Sequence, residues 1–193
     1  MKFSFKDEQL LFAEATREML KKDCSPEAIN EFVESDSAAM PELWNSFASM
    51  GVLGIAASEA LGGLEMLDQD FVLIMEELGR AACPEPVMEH AVLSIPLLEE
   101  CNNKSQYSSI LESAINGEHR LSVALESQYV VGADSADYLL LFRDSLLHLV
   151  AKESIVLQRQ ASVDSSRRLF SVKWDTNSGT VIEGDSDKVR SLI

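Results

Sequence analysis

The sequence has little of what self-contained chemistry is usually built from. It holds three cysteines and three histidines in 193 residues. Cys24, Cys83 and Cys101 are odd in number, widely spaced and form no CxxC, which argues against a zinc knuckle or a disulfide framework. They read as small buried hydrophobes with inert thiols. His90, His119 and His148 fall on an expected helix, a linker and an expected strand, with no second His or Cys at ligand spacing. They read as surface or capping residues, not as metal ligands. Basic charge is also scarce, since 16 Lys and Arg face 32 Asp and Glu for a formal net charge of −16. Nucleic-acid affinity comes mainly from Lys and Arg displacing counterions, so nucleic acid and anionic membrane are excluded as partners. Long apolar runs are missing. The longest, Met50 to Ala57, is far short of the roughly 20 residues a membrane helix requires. The opening Met1-Lys2-Phe3-Ser4-Phe5-Lys6-Asp7-Glu8 turns acidic before an apolar signal-peptide core develops. A soluble, cytoplasmic protein is expected. Neither GxGxxG, GxxxxGK[ST] nor a GxSxG elbow occurs, which removes the usual phosphate loops and the usual serine nucleophile.

What is present is ordinary globular composition, 46% hydrophobic and 25% charged, enough to fold as one large or two small domains. The two halves differ in period. Phe12, Ala15 and Met19 lie at helical spacing, with Ser4 and Asp7 imitating a capping box. A second helix is expected from Pro26 to Val33, and a third around Trp44, Phe47 and Ala48, bracketed by Pro41 and Gly51. Gly51 to Leu67 reads as a structured loop. Asp68 is expected to cap a stripe of Phe71, Ile74, Met75 and Leu78 that Gly79 closes. Pro84 and Pro86 restart a helix that Pro96 must kink or end, and Tyr107, Ile110, Leu111 and Ala114 form one more, ended by Asn116-Gly117. After Gly117 the period becomes two. Leu121 to Glu126, Tyr129 to Val131, Tyr138 to Phe142, Leu146 to Val150, Ser154 to Leu157, Phe170 to Trp174 and Thr180 to Ile182 read as short strands. The expectation is an α+β chain, with an all-α bundle over residues 1–117 and a small antiparallel sheet or barrel over residues 118–193.

The remaining chemistry-bearing groups are thin. The pairs Glu76-Glu77, Glu99-Glu100 and Asp134 with Asp137 read as solvated faces, because adjacent helical side chains point about 100° apart and cannot share a proton. Arg167 and Arg168 have the guanidinium forks to recognise phosphate or carboxylate, though alternation in a strand turns one of two neighbours to water.

Four ordered stretches carry a resemblance. They are Phe3-Ser4-Phe5-Lys6-Asp7-Glu8-Gln9, then Leu43-Trp44-Asn45-Ser46-Phe47-Ala48-Ser49-Met50-Gly51-Val52-Leu53-Gly54, then Ser58-Glu59-Ala60-Leu61-Gly62-Gly63. The most specific is Met75-Glu76-Glu77-Leu78-Gly79-Arg80-Ala81-Ala82 followed by Pro84 and Pro86. Together they resemble the acyl-CoA dehydrogenases, flavoproteins that remove two hydrogens from an acyl thioester. The likeness is strong over residues 3–100 and weaker beyond. Asp164-Ser165-Ser166-Arg167-Arg168 resembles a turn of the smaller heteromeric members that act on steroid side chains and other bulky acyl groups.

The resemblance implies FAD as cofactor, an acyl-CoA substrate and a homo- or hetero-oligomer with a homologue. It places Val123, Leu125, Tyr129 and Val131 against the flavin or its vestige, and Ala82, Glu89 and His90 near the acyl chain. Four departures stand out. Where relatives have a threonine in the strand that touches flavin, Leu121-Ser122-Val123-Ala124-Leu125-Glu126 has none, and the hairpin relatives place after it is missing before Tyr129. Tyr129 keeps an aromatic for stacking, but Val131 stands where relatives donate a hydroxyl hydrogen bond. The family's C-terminal four-helix domain, which usually supplies the catalytic glutamate, has no counterpart in residues 1–193, so no base is assigned. The implied function is α,β-desaturation in fatty-acid or sterol side-chain oxidation by a unit incomplete alone. The alternatives are a non-catalytic subunit of a flavin-bearing homologue, or a helical interaction module without flavin chemistry.

Overall fold

A computed structural model describes residues 4–35, 37–101, 104–124, 129–143 and 146–182. Helix α1, Asp7–Asp23, starts with the Lys6 N–H donating to Gln9 Oε1 at 2.6 Å. The cap is therefore shifted two residues along from the expected Ser4–Asp7 box, with Gln9 as the side chain that reaches back to Lys6. Helices α2, Pro26–Glu34, and α3, Pro41–Ser49, each carry proline in the first turn as expected. Residues 51–67 form two short 3₁₀ turns rather than a helix.

Helix α4, Asp68–Arg80, is capped through Asp70, whose Oδ2 accepts from Leu67 N–H at 3.0 Å, so Asp68 lies one position inside the helix. Gly79 does not close it. The closing residue is Ala82, which adopts φ 51°, with Ala82 N–H on Gly79 O at 3.1 Å and Cys83 N–H on Leu78 O at 3.0 Å. This is a Schellman ending with alanine in the left-handed position that glycine usually fills. After Pro86 the chain enters a widened π-helical turn, Met88–Ser94, which passes into α5, Ile95–Glu99. The widened turn just ahead of Pro96 accommodates its missing N–H, so the proline does not end the helix. Helix α6 is Ser108–Ile115.

The strands are β1 Leu121–Ala124, β2 Tyr129–Val131, β3 Tyr138–Arg143, β4 Leu146–Ala151, β5 Ile155–Gln160, β6 Leu169–Trp174 and β7 Thr180–Ile182. They make two open sheets, ordered β1-β3-β4-β7 and β2-β6-β5. No closed barrel forms among the described residues. The expectation of a purely antiparallel sheet also needs correction, because β1 pairs with β3 in parallel, Val123 opposite Leu140. The chain leaves for the second sheet at β2 before returning, so β1 and β3 enter from the same end.

The first sheet is buried on both faces. Leu121, Val123, Leu140, Leu147 and Leu149 pack on Ile95, Leu98, Leu111 and Ala114 of α5 and α6, while Leu139, Leu141 and Val150 pack on Val130 and Phe170 of the second sheet. A separate cluster of Leu43, Trp44, Phe47, Leu53, Ile74 and Val87 holds the remaining helices together. The result is three layers, helices on sheet on sheet.

Candidate functional site

A cleft of about 310 Å³ opens where the end of α4 meets the second sheet. Met75, Leu78 and the Ala82–Met88 segment form one wall, and Val131 with Asp164, Ser166 and Arg167 forms the other. Its volume is at the lower end of the range for small-molecule pockets and suits part of an acyl chain. Close approach at the base is enforced at Gly132, where φ is +64° and a Cβ would come within 2.8 Å of Pro86 Cγ. Gly79 faces open space within the cleft.

The cleft's three carboxylates are all engaged. Glu89 Oε1 accepts from Arg167 Nη2 at 3.1 Å, so this pair bridges the helical segment and the turn after β5. Asp164 accepts from Ser166 N–H and Oγ–H, and these bonds with Ser166 hold its carboxyl below the usual range. Glu85 is buried, with Arg120 Nη1 donating to Oε2 at 2.5 Å and Met40 N–H to Oε1 at 2.5 Å. Burial still pushes the Glu85 carboxyl up against the pull of Arg120.

Behind the cleft lies a polar knot. The Arg120 guanidinium stacks 3.9 Å from the Trp44 ring centroid, and Trp44 Nε1–H donates to Gly117 O at 3.0 Å. The His90 ring meets Trp44 edge-on at 4.9 Å. Leu121 N–H donates to His90 Nδ1 at 3.0 Å, which fixes the proton on Nε2, and Nε2 donates to Ala114 O at 3.1 Å. His90 is completely buried, and burial drives its pKa down to about 4.

Three of the residues placed by resemblance, Ala82, Glu89 and Val131, therefore meet in one cleft. Two do not. Val123 is enclosed in the core between the first sheet and α5–α6, and His90 is bonded on both nitrogens away from the cleft lining. Tyr129 shares with Val131 the face of β2 opposite the buried Val130. Leu125 lies outside the described residues. Sequence reasoning singles out neither Glu85 nor Arg120, and places Trp44 only on the third helix and in the second stretch of resemblance.

The acidic pairs also differ from expectation. Glu77 is buried, accepting from Arg17 Nε at 2.9 Å and Nη2 at 2.7 Å, while its neighbour Glu76 stays exposed. Asp134 pairs with Arg168 at 2.5 Å and is not on a solvated face. Arg168 is thus structural, and Arg167 is the one that reaches the cleft. No group of three His, Cys, Asp or Glu suited to a metal occurs among the described residues, and no described helix is long and apolar enough to cross a membrane.

Residues 6–118 match the family profile described as acyl-CoA dehydrogenase, N-terminal domain. The chain belongs to the acyl-CoA dehydrogenase family. It is 26% identical over 167 residues to acyl-CoA dehydrogenase IpdE2 of Mycolicibacterium smegmatis, covering 86% of this chain and 51% of that protein. It is 31% identical over 107 residues to acyl-CoA dehydrogenase FadE27 of Mycobacterium tuberculosis, covering 54% and 28%. Among solved structures, the Tcur3481–Tcur3483 steroid ACAD G363A variant superposes with TM-score 0.81 at 18% identity, over 96% of this chain and 60% of that one. The ChsE4–ChsE5 complex from Mycobacterium tuberculosis gives 0.80 at 20% identity, over 100% and 62%. These structural likenesses establish the fold. The chain spans about half the length of IpdE2.

Membership of this family implies FAD, and Ser122, Val123 and Val131 do not fit one. Val131 offers no side-chain donor to a flavin's polar edge, the Ser122 hydroxyl donates instead to Val131 O at 2.7 Å, and Val123 is in the core. Tyr129 alone supplies an aromatic surface.

Proposed function

We propose that this acyl-CoA dehydrogenase-type chain walls the acyl group of an acyl-CoA thioester in an assembly with a flavin-bearing homologue, which together carry out α,β-desaturation in fatty-acid or sterol side-chain oxidation. The observation that carries this is the cleft. It is apolar along α4 and Ala82–Met88, its size suits part of an acyl chain, and each of its carboxylates already has a partner. None of the three is poised as a base, since Glu89 would first have to give up Arg167. The Tcur3481–Tcur3483 steroid ACAD variant and the ChsE4–ChsE5 complex share this fold, and the latter supports an assembly.

A second reading is favoured by the donorless Val131: the chain shapes or assembles the complex without touching substrate. Gly79→Leu separates the two, because position 79 has room for a Cβ and the longer side chain fills the cleft without disturbing the helix. The purified chain alone is expected to show neither flavin absorbance nor reduction of a dye acceptor by acyl-CoA. In complex with a flavin-bearing homologue, Gly79→Leu is expected to lower kcat/KM for bulky acyl-CoA about tenfold or more, a loss of about 1.4 kcal/mol in transition-state binding. Unchanged kcat/KM supports the second reading, and dye reduction by the isolated chain contradicts both.

A further inference from the structure

Beside helix α2 lies a groove of about 440 Å³ that shares no lining residue with the 310 Å³ cleft. Ala28, Glu31, Phe32 and Ser35 line it at helical spacing, so one face of α2 makes a wall. The other wall is the segment from Ser37 to Leu43 that leads into α3. Short bonds set that segment in place. Ser37 N–H donates to Ser35 Oγ at 3.2 Å, Ser37 Oγ–H donates to Ala39 O at 2.6 Å, and Met40 N–H is held by Glu85.

The floor and the rim of the groove differ in kind. Phe32 and Leu43 are buried, with Ala28, Ala39 and Met40 half-buried around them, so the floor is apolar. The rim is acidic, with Asp23, Glu31 and Glu42 in the lining and no Lys, Arg or His. Asp23 accepts from Ser46 Oγ–H at 2.7 Å and lies 3.4 Å from Lys22 Nζ. Glu31 and Glu42 are exposed and enter no ion pair among the described residues. The helix itself adds to their potential. Helix α2 ends at this groove with no basic residue in its last turn, and the carbonyls of a helix C-terminus carry partial negative charge.

This combination selects an occupant. An anion would meet only carboxylates. A divalent metal needs converging oxygen ligands, and no group of three His, Cys, Asp or Glu suited to a metal occurs among the described residues. A second copy of this chain would bring another formal charge of −16 against an acidic face. A neutral apolar molecule would leave the rim unused. We propose that the groove is a binding site for a small organic ammonium, its apolar body on Phe32, Met40 and Leu43 and its charge at the Glu31 and Glu42 rim. The site does not depend on what the acyl cleft binds.

The test titrates the full chain, isotope-labelled in its methionine and alanine methyl groups, with phenethylammonium under NMR observation. Signals of Ala28, Ala39 and Met40 are expected to shift and saturate, while Met75 and Met88 of the cleft stay in place. Phenethyl alcohol, which keeps the apolar body without the charge, is expected to bind about fivefold more weakly, and hydrocinnamate to leave the signals unmoved. Glu31→Gln and Glu42→Gln are each expected to weaken the ammonium about threefold, and the double variant about tenfold. Both side chains are on the surface, so the fold survives these changes. No saturable shift at the three groove residues, equal binding of alcohol and ammonium, shifts confined to Met75 and Met88, or a double variant that binds like the wild type would each overturn the proposal. Groove signals that move on dilution alone, the mark of a second copy seated there, would overturn it too. Groove and cleft report through different methyl groups, so failure at one is read separately from failure at the other.

Discussion

Arg120→Met is expected to lower the unfolding free energy by about 3–5 kcal/mol, the range found when one partner of a buried ion pair is removed. The Arg120 and Glu85 side chains are 12% and 2% exposed and 2.5 Å apart, so the substitution strands a carboxylate in the interior with only Met40 N–H as partner. It also strips the cation from the face of Trp44. The cost arises from isolating the charge rather than from losing the pair. Arg120→Met with Glu85→Gln is therefore expected to be more stable than Arg120→Met alone. Because the stranded Glu85 is most costly when ionised, the deficit is largest near pH 7 and shrinks as the pH falls toward 5. Urea unfolding followed by tryptophan fluorescence at several pH values measures all of this. A deficit under about 1 kcal/mol, or a double variant no better than the single, places the pair outside the forces that hold the helical layer to the sheets.

The second large effect is loss of stability in mild acid, driven by His90. Its folded pKa of about 4 lies below the ordinary 6.5. Between those values the unfolded chain binds a proton that the native chain refuses, so stability is full above about pH 6.5 and falls as the pH drops toward 4. The shift corresponds to about 3 kcal/mol at the end of that window. Protonation would put a proton on Nδ1, where Leu121 N–H already donates, and a positive charge near Arg120. Glu85 works in the opposite sense, since burial raises its pKa and acidification then favours the folded chain, so it offsets part of the loss. His90→Gln is expected to flatten the dependence between pH 7 and 5 at the expense of overall stability. A wild-type chain equally stable at pH 7 and pH 5 contradicts the buried, neutral ring.

Strands were legible where alternation of apolar residues survives because one side chain in two meets a core, as Phe170 and Val172 alternate with Ser171 and Lys173 in β6. Their pairing was not. The parallel β1–β3 ladder depends on where β2 goes, which no local period records. Helix positions were legible, but their ends were less so. Gly79 was the obvious terminator, yet the Schellman bonds form at Ala82, and the π-helical turn before Pro96 has no signature in hydrophobic spacing. The family motifs led to Ala82, Glu89 and Val131, which share the cleft. They could not show that His90, one position from Glu89, faces the opposite way into the knot with Trp44. Nor could separate helical stripes reveal that α1 and α4 pack in parallel, Gln9 on Asp70 and Arg17 on Glu77, which is what buries Glu77.

The central claim is that the cleft between the end of α4 and the second sheet receives the acyl chain, and site-resolved photolabelling tests it most directly. An acyl-CoA carrying a diazirine in its acyl tail, irradiated with the chain in complex with a flavin-bearing homologue, is expected to label peptides from the 75–89 and 163–168 segments. Excess unlabelled acyl-CoA should suppress that labelling. Suppressible labelling confined to other segments, or none on this chain, contradicts the account.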